Sequence, residues 1–219
     1  MTKIAIFGGH GKVAMELARI LMATGHQVTS VIRKPEQQAE VAGTGAQPVL
    51  LDLAAATTLE MAEALRGHDA VVWSAGAGGG APEHTYAVDR DAAIRSMDAA
   101  VLAGASRFVM VSYMGAGPDH RVPEGDGFYA YAEAKAAADA YLRGTGLAWT
   151  ILGPGSLTDS PATGTIELSP IDISEGNDTA RDNVALVVAA VLDLPATAGR
   201  TIDFRDGATP LAEALAASV

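Results

Sequence analysis

The sequence predicts an α/β fold, a doubly wound parallel sheet with helices on both faces, formed as a single domain over 1–219. Six apolar runs recur along the chain, at 4–7, 28–32, 49–51, 70–73, 108–111 and 149–152, mostly separated by stretches of helical composition. These runs are continuously apolar instead of alternating, which is the pattern of strands covered on both faces. The first run passes directly into Gly8-Gly9-His10-Gly11, a glycine-rich turn that opens a helix.

The first strand, 4–7, reads Ile-Ala-Ile-Phe, and the helix after the turn covers 13–24. Glycine takes backbone angles closed to other residues and lets a ligand approach the main chain, while the N–H groups of the helix's first turn point at any anion placed there. Gly8 and Gly11 are the two glycines expected to matter, with Ala14 as the small residue that lets helix and strand pack closely. The segment fits a phosphate seat or an ordinary strand-to-helix turn.

The second strand, 28–32, ends at Arg33-Lys34 before a helix over 35–43, and the third, 49–51, ends beside Asp52 before a helix over 58–65. The fourth, 70–73, opens a loop over 76–86 whose glycine-rich part is 76–83, followed by a helix over 89–103. The fifth, 108–111, leads through Ser112 into the loop 113–128, dense in glycine, proline and charge over 115–127, and then into a helix over 129–144. After the sixth strand, 149–152, the connection 153–182 is too long for a simple link and is expected to hold a short segment at 165–168. A helix over 182–192, a strand over 201–204 and a helix over 210–217 complete the chain, and no repeat is apparent. The three long loops leave the carboxyl ends of strands, where open α/β sheets bind ligands. They build a substrate pocket or are merely mobile.

Composition narrows the function classes. The 219 residues are 49% hydrophobic with 24 glycines, enough for one large core and short for two. No apolar run approaches the roughly 20 residues needed to span a bilayer, so no membrane association is expected. The first strand begins within four residues of Met1, leaving no room for a signal peptide, and there is no cysteine for disulfide or thiolate chemistry. A cytoplasmic location is the resulting expectation. A net charge of −11 opposes nucleic-acid binding, which needs a basic surface to replace counterions. His10, Lys12, His68 and His84 are too scattered for a metal site.

Tyr131 and Lys135 stand four apart on a predicted helix and so share a face. An ammonium near a phenol favours phenolate, and could bring a pKa of about 10 toward neutrality, making the tyrosine a proton donor or acceptor. The same spacing also occurs on solvent-facing helices. Here the alanine-rich helix around the pair allows close approach to a neighbouring element, and Tyr129, two residues away, lies on another side. Ser112 either holds a substrate oxygen or caps its strand end. Arg33 either pairs with an adenosine 2′-phosphate, favouring NADP(H) over NAD(H), or is a solvated arginine. Asp52 touches an adenine edge or caps a helix.

With these residues the chain resembles the atypical short-chain dehydrogenase/reductase superfamily, specifically small Rossmann-like NAD(P)-binding proteins of the NmrA-like and flavin-reductase-like kind. Gly8-Gly9-His10-Gly11-Lys12-Val13-Ala14 is similar to the family's spaced glycine turn, with Ala14 in the last glycine place. Val31-Ile32-Arg33-Lys34-Pro35 resembles the segment that meets the adenosine phosphate, and Leu51-Asp52-Leu53 the adenine-side acidic position. Ser74-Ala75-Gly76 corresponds to the turn beside the riboses, and Val88-Asp89 to the start of the central helix. Ser112, Tyr131 and Lys135 match the family's serine and its tyrosine, three residues, lysine signature, in which lysine also holds the nicotinamide ribose. Pro154 and Gly155 lie in the segment that resembles the loop near the nicotinamide.

The resemblance implies an NAD(P)H-dependent oxidoreductase that passes hydride to a small carbonyl, quinone or flavin-like acceptor. Tyr131 would supply the proton, with Lys135 lowering its pKa. Epimerase or dehydratase action on a sugar-like substrate, and a redox-sensing module without turnover, are the alternatives. The partner is then a small molecule, and the protein a monomer or homodimer.

Overall fold

The structure is a computed structural model that describes residues 1–169 and 176–218. In chain order the strands are β1 (Lys3–Phe7), β2 (Gln27–Ile32), β3 (Gln47–Leu50), β4 (Ala70–Trp73), β5 (Arg107–Val111), β6 (Ala148–Pro154), β7 (Ser156–Thr158), β8 (Thr165–Leu168), β9 (Asp178–Ala180), β10 (Arg200–Asp206) and β11 (Thr209–Pro210). The helices are α1 (Lys12–Ala23), α2 (Gln38–Ala42), α3 (Thr58–Ala64), α4 (Pro82–Thr85), α5 (Ala93–Ala103), α6 (Tyr129–Arg143), α7 (Arg181–Leu192) and α8 (Leu211–Ala217).

The main sheet runs β11-β8-β10-β6-β5-β4-β1-β2-β3. From β3 to β10 every pairing is parallel, and β8 pairs antiparallel with both β10 and β11. The expected all-parallel sheet is therefore mixed at one edge. The strand order reverses between β1 and β4, which opens a crevice at their carboxyl ends.

Alternation along the central strands builds two cores. Ile4 and Ile6 of β1, with Ala70 and Val72 of β4, join the core under α1 and α7, while Ala5, Phe7, Val71 and Trp73 join the core under α3, α5 and α6. All eight are 2% exposed or less, so each residue of these strands is buried on one face or the other, which accounts for the unbroken apolar runs.

Three boundaries differ from expectation. The helix expected over 35–43 starts as a 3₁₀ turn at Pro35–Gln37, because proline fixes φ at N1 and the chain tightens before α2. The helix expected from 89 begins at Pro82, within the expected 76–86 loop, and passes through a π-helical segment, Tyr86–Ala92, before α5. Proline suits the first turn of a helix, since its missing N–H has no partner there anyway. The 153–182 connection carries β7 and β9, which form a separate parallel pair, as well as the anticipated β8. Its residues 170–175 lie outside the described residues. Among the described residues no helix is long and apolar enough to cross a membrane.

Candidate functional site

The chain turns immediately after β1 ends in the sheet's centre. Gly8 lies at φ +81°, and a Cβ there would stand 2.5 Å from Ala75 Cα. Gly9 presses on β2: a Cβ would stand 2.5 Å from Ser30 Cβ, and its N–H donates to Val31 O at 2.9 Å. Gly11 N–H donates back to Gly8 O at 2.9 Å, and Gly11 then caps α1 with no side-chain hydrogen bond and no acidic residue in the first turn. The first N–H groups of α1 are left facing out of the turn, as an anion seat requires. The turn thus needs Gly9 as well as the expected Gly8 and Gly11. Ser30's proximity imposes this, and sequence spacing does not reveal it.

A groove of about 260 Å³ opens from this turn across the ends of β1 to β4. It brings together Gly8, His10, Gly11, Arg33, Asp52, Leu53, Ser74, Ala75 and Gly76, as expected, and adds Gln37, Ala77, His84 and Val88. His10 is fixed at both ring nitrogens, by Gln37 Nε2 at 3.1 Å and Glu40 Oε2 at 2.7 Å. Gln37's Oε1 accepts the Lys34 N–H at 3.1 Å, which leaves its amide nitrogen facing the His10 Nδ1. Arg33 is exposed in the groove, with no hydrogen bond or ion pair among the described residues. Asp52 lines the groove, and its Oδ1 accepts the Ala54 N–H at 3.1 Å within a turn; it caps no helix, because Thr57 is the N-cap of α3.

Lys12 and Val13 are not among the groove-lining residues. Lys12 Nζ is held 2.6 Å from Asp159, which also pairs with Arg181, and the Val13 side chain is buried in the core under α1. Behind the groove, Asp89 is 1% exposed and accepts the Ala77 N–H at 3.0 Å, tying the loop after β4 to the π-helical segment. Burial holds its carboxyl above the ordinary range, against the pull of that hydrogen bond and of the Lys135 and His84 charges.

A second cavity, about 410 Å³, lies at the ends of β5 and β6. Ser112 and Tyr131, expected to be catalytic, line it together with Pro154 and Gly155, expected to be beside the nicotinamide, and Tyr113, Met114, Phe128 and Leu157 add apolar wall. Three rings cluster there, with Tyr113 and Phe128 centroids 5.1 Å apart, Phe128 and Tyr131 5.1 Å apart, and Tyr113 and Tyr131 5.6 Å apart. Tyr129 turns away and packs on His120 with 5.7 Å between ring centroids.

The polar groups here differ from the expected arrangement. The Ser112 hydroxyl is hydrogen-bonded to Asp139 Oδ2 at 2.6 Å and does not cap its own strand. Lys135 is 1% exposed and lines neither cavity; its Nζ donates to Val111 O at 2.9 Å and approaches Met110 Sδ at 3.1 Å. Burial pushes its ammonium pKa down, against the pull of Asp139 and Asp89. The Tyr131 phenol is pushed up, first by burial and then by the charges of Asp89 and Asp139 and by Tyr113. The expectation that Lys135 brings this phenol toward neutrality is corrected: desolvation first, and then the charges of Asp89 and Asp139, push it the other way. Sequence reading also missed Asp139 and Tyr113, although Asp139 stands four residues beyond Lys135 and Tyr113 directly follows Ser112.

A protein-family model described as NAD(P)H-binding matches residues 8–195. YhfK of Bacillus subtilis, an uncharacterised sugar epimerase by name, is 36% identical over 215 residues, covering 97% of this chain and 98% of that protein. A Bacillus halodurans structure, provisionally described as an NAD-dependent epimerase/dehydratase, superposes with TM-score 0.90 at 30% identity over 99% of this chain and 100% of that one. The structure of the oxidoreductase ylbE from Lactococcus lactis superposes with TM-score 0.85 at 31% identity, covering 98% and 95%. The chain belongs to this NAD(P)H-binding family, and its fold is Rossmann-like.

Proposed function

We propose that the protein is an NADP(H)-preferring reductase whose acceptor, a small carbonyl, quinone or flavin-like molecule, sits in the cavity at the ends of β5 and β6. The observation that carries this reading is the pairing of two sites along the carboxyl ends of the strands: a glycine turn beside an arginine with no partner among the described residues, and an aromatic cavity bearing hydroxyls. The oxidoreductase name of the Lactococcus relative points the same way.

The groove's residues fit a dinucleotide. The α1 amide groups after Gly11, among them those of Lys12 and Val13, would hold the pyrophosphate, Arg33 the adenosine 2′-phosphate, Asp52 and Leu53 the adenine side, and Ser74, Ala75 and Gly76 the riboses. His10, clamped by Gln37 and Glu40, shapes the wall of the groove that Arg33 also lines. When bound, the nicotinamide supplies a hydride to an electron-poor carbon.

The rest falls to the chain. The rings of Tyr113, Phe128 and Tyr131 present flat apolar surface to a conjugated acceptor and keep water out, which strengthens polar contacts to it. Tyr131, protonated throughout the neutral range, donates a hydrogen bond to the acceptor's oxygen. Lys135 fixes the carbonyl of Val111 and so the peptide that carries Ser112. Pro154 and Gly155 close the wall opposite α6.

Purified protein mixed with NADPH and a panel of quinones, flavins and small aldehydes tests this by loss of cofactor absorbance, with NADPH oxidation expected for a conjugated acceptor. Tyr131→Phe, losing one neutral hydrogen bond, should slow that turnover about 5- to 10-fold. The epimerase and epimerase/dehydratase names of the two Bacillus relatives favour a second reading, a sugar-like substrate with transient cofactor use. Sugar isomerisation or dehydration without net NADPH loss would select it. Micromolar NADPH binding with neither activity would point to a sensing role.

A further inference from the structure

Building on the reductase reading of this site, we propose that Asp139 stores the proton that Ser112 delivers to the acceptor's carbonyl oxygen. Asp139 acts through Ser112 and is a positioning residue.

The geometry leaves the pair few alternatives. Ser112 lines the cavity, while Asp139 is fully buried one hydrogen bond behind it, at 2.6 Å. Asp139 Oδ1 has no hydrogen-bond partner among the described residues. A buried carboxylate with a bare oxygen is costly, whereas the neutral acid has one proton to place and tolerates a bare carbonyl oxygen. The two protonation states also aim Ser112 differently. Ionised Asp139 accepts the serine's hydrogen bond and so keeps the hydroxyl proton turned away from the cavity. Neutral Asp139 donates from Oδ2 to Ser112 Oγ, which frees the serine proton for an acceptor in the cavity.

The neighbours of Asp139 divide. Lys135 and Arg143 on its own helix and the Ser112 hydrogen bond favour the ionised form, while Asp203 on β10 opposes it. Tyr113, from the segment after β5, and Tyr131 are neutral phenols that Asp139 itself pushes up. No ion pair joins Lys135 to Asp139 among the described residues, and Lys135 Nζ is taken up by Val111 O and Met110 Sδ. Burial outweighs the rest and holds the carboxyl above its ordinary range.

The step balances as follows. Hydride addition, with bound NAD(P)H as the reductant, moves the C=O π pair onto oxygen. That oxygen takes the Ser112 Oγ proton as Oγ takes the proton from Asp139 Oδ2. The O–H bonds of Ser112 and Asp139 break, new ones form on product and Ser112, and the Asp139 carboxylate regains a proton from water after product leaves.

The test begins with ¹³C-carboxyl NMR titration of aspartate-labelled protein, free and with NADP⁺. Comparison with Asp139→Asn assigns the signal. The Asp139 signal should titrate above the ordinary aspartate range, and higher still in Ser112→Ala, which loses a bond favouring the ionised form. A midpoint in the ordinary range, or one unmoved by Ser112→Ala, overturns the proposal whatever the protein turns over. In steady-state kinetics, wild-type turnover should fall as pH rises through that midpoint. Asp139→Asn should be slowed about 100-fold with this pH limb gone and NADPH affinity unchanged. A retained limb in Asp139→Asn refutes the delivery step. A wild type that oxidises no NADPH with any acceptor removes the reductase reading, and delivery with it, while the titration separately reports where the proton resides.

Discussion

Arg107 and Arg33 are two arginines at opposite ends of the same parallel sheet, and their surroundings are opposite too. Arg107, at the start of β5, is largely buried, and its guanidinium donates to Ala148 O, Thr150 Oγ1, Val191 O and Thr197 Oγ1 at 2.6 to 3.0 Å. Burial lowers its pKa to about 10, still charged at neutral pH. Arg33, just past the carboxyl end of β2, is exposed beside a groove and has no partner among the described residues. One arginine closes the fold by satisfying acceptors from three segments. The other is left unsatisfied at the edge where a ligand would supply the acceptors.

If that contrast is sound, substitution at the two ends should separate stability from binding. Arg107→Met removes the charged donor shared by Ala148 O, Val191 O, Thr150 Oγ1 and Thr197 Oγ1, and should cost about 3–5 kcal/mol in urea unfolding. NADPH affinity of the protein that remains folded should be unchanged. An affinity loss would show that the far end of β5 feeds into the site.

Gly8→Ala attacks the contrast from the other side, as a site residue with a cost to the fold. Its positive φ and the 2.5 Å approach of Ala75 Cα leave no room for a methyl group. Strain and overpacking together should cost about 2–4 kcal/mol. Cofactor binding should be lost in the same variant, because the turn can relieve the clash only by moving the anion seat. Thermal unfolding and fluorescence titration of NADPH read the two effects.

Arg33→Ala should do the reverse. Loss of charged hydrogen bonds to a 2′-phosphate corresponds to about 1.5–3 kcal/mol, or roughly 10- to 150-fold in NADPH affinity, with NADH affinity and unfolding midpoint unchanged. Equal losses for both cofactors would mean that Arg33 contacts something they share, and the preference for NADP(H) would fall.

The same division between ends explains what could be read from the sequence. The central strands were legible because burial on both faces writes unbroken apolar runs, as in Ile4 to Phe7 and Ala70 to Trp73. β7, β9 and β11 were not, being two or three residues long and specified by distant partners such as Asn177 across from Ser156. The π-helical segment hid inside an ordinary helical pattern, since one wider turn changes no residue type. Along the groove, the glycine turn and Arg33 directly follow strand ends, so their place in the fold is legible in local sequence. Asp139's place behind Ser112 depends on how α6 docks against β5, and the Tyr131 phenol depends on carboxylates from two separate segments. Pairwise spacing on one helix shows neither.

The smallest effect concerns the one cation that sequence reading placed at the anion seat and the structure places elsewhere. Lys12, the first residue of α1, and Arg181, the first of α7, both clasp Asp159, with side-chain exposures of 67% for Lys12 and 62% for Asp159. The Asp159 carboxyl is held below the ordinary range, first by the Lys12 hydrogen bond and then by the Arg181 charge, so it stays ionised and keeps both cations occupied at neutral pH. Exposed pairs of this kind contribute little to stability, and Asp159→Ala should leave the unfolding midpoint where it is. It also removes a negative charge near the helix N-terminus and releases Lys12 beside the amides that face an anion. NADP⁺ affinity should therefore rise about 2- to 5-fold at low salt, and the gain should disappear at high ionic strength, where exposed charges are screened. An affinity that does not move at low salt would leave the amides of α1 and Arg33 as the groove's sources of positive potential, and would make the clasp a brace for the segment after β7.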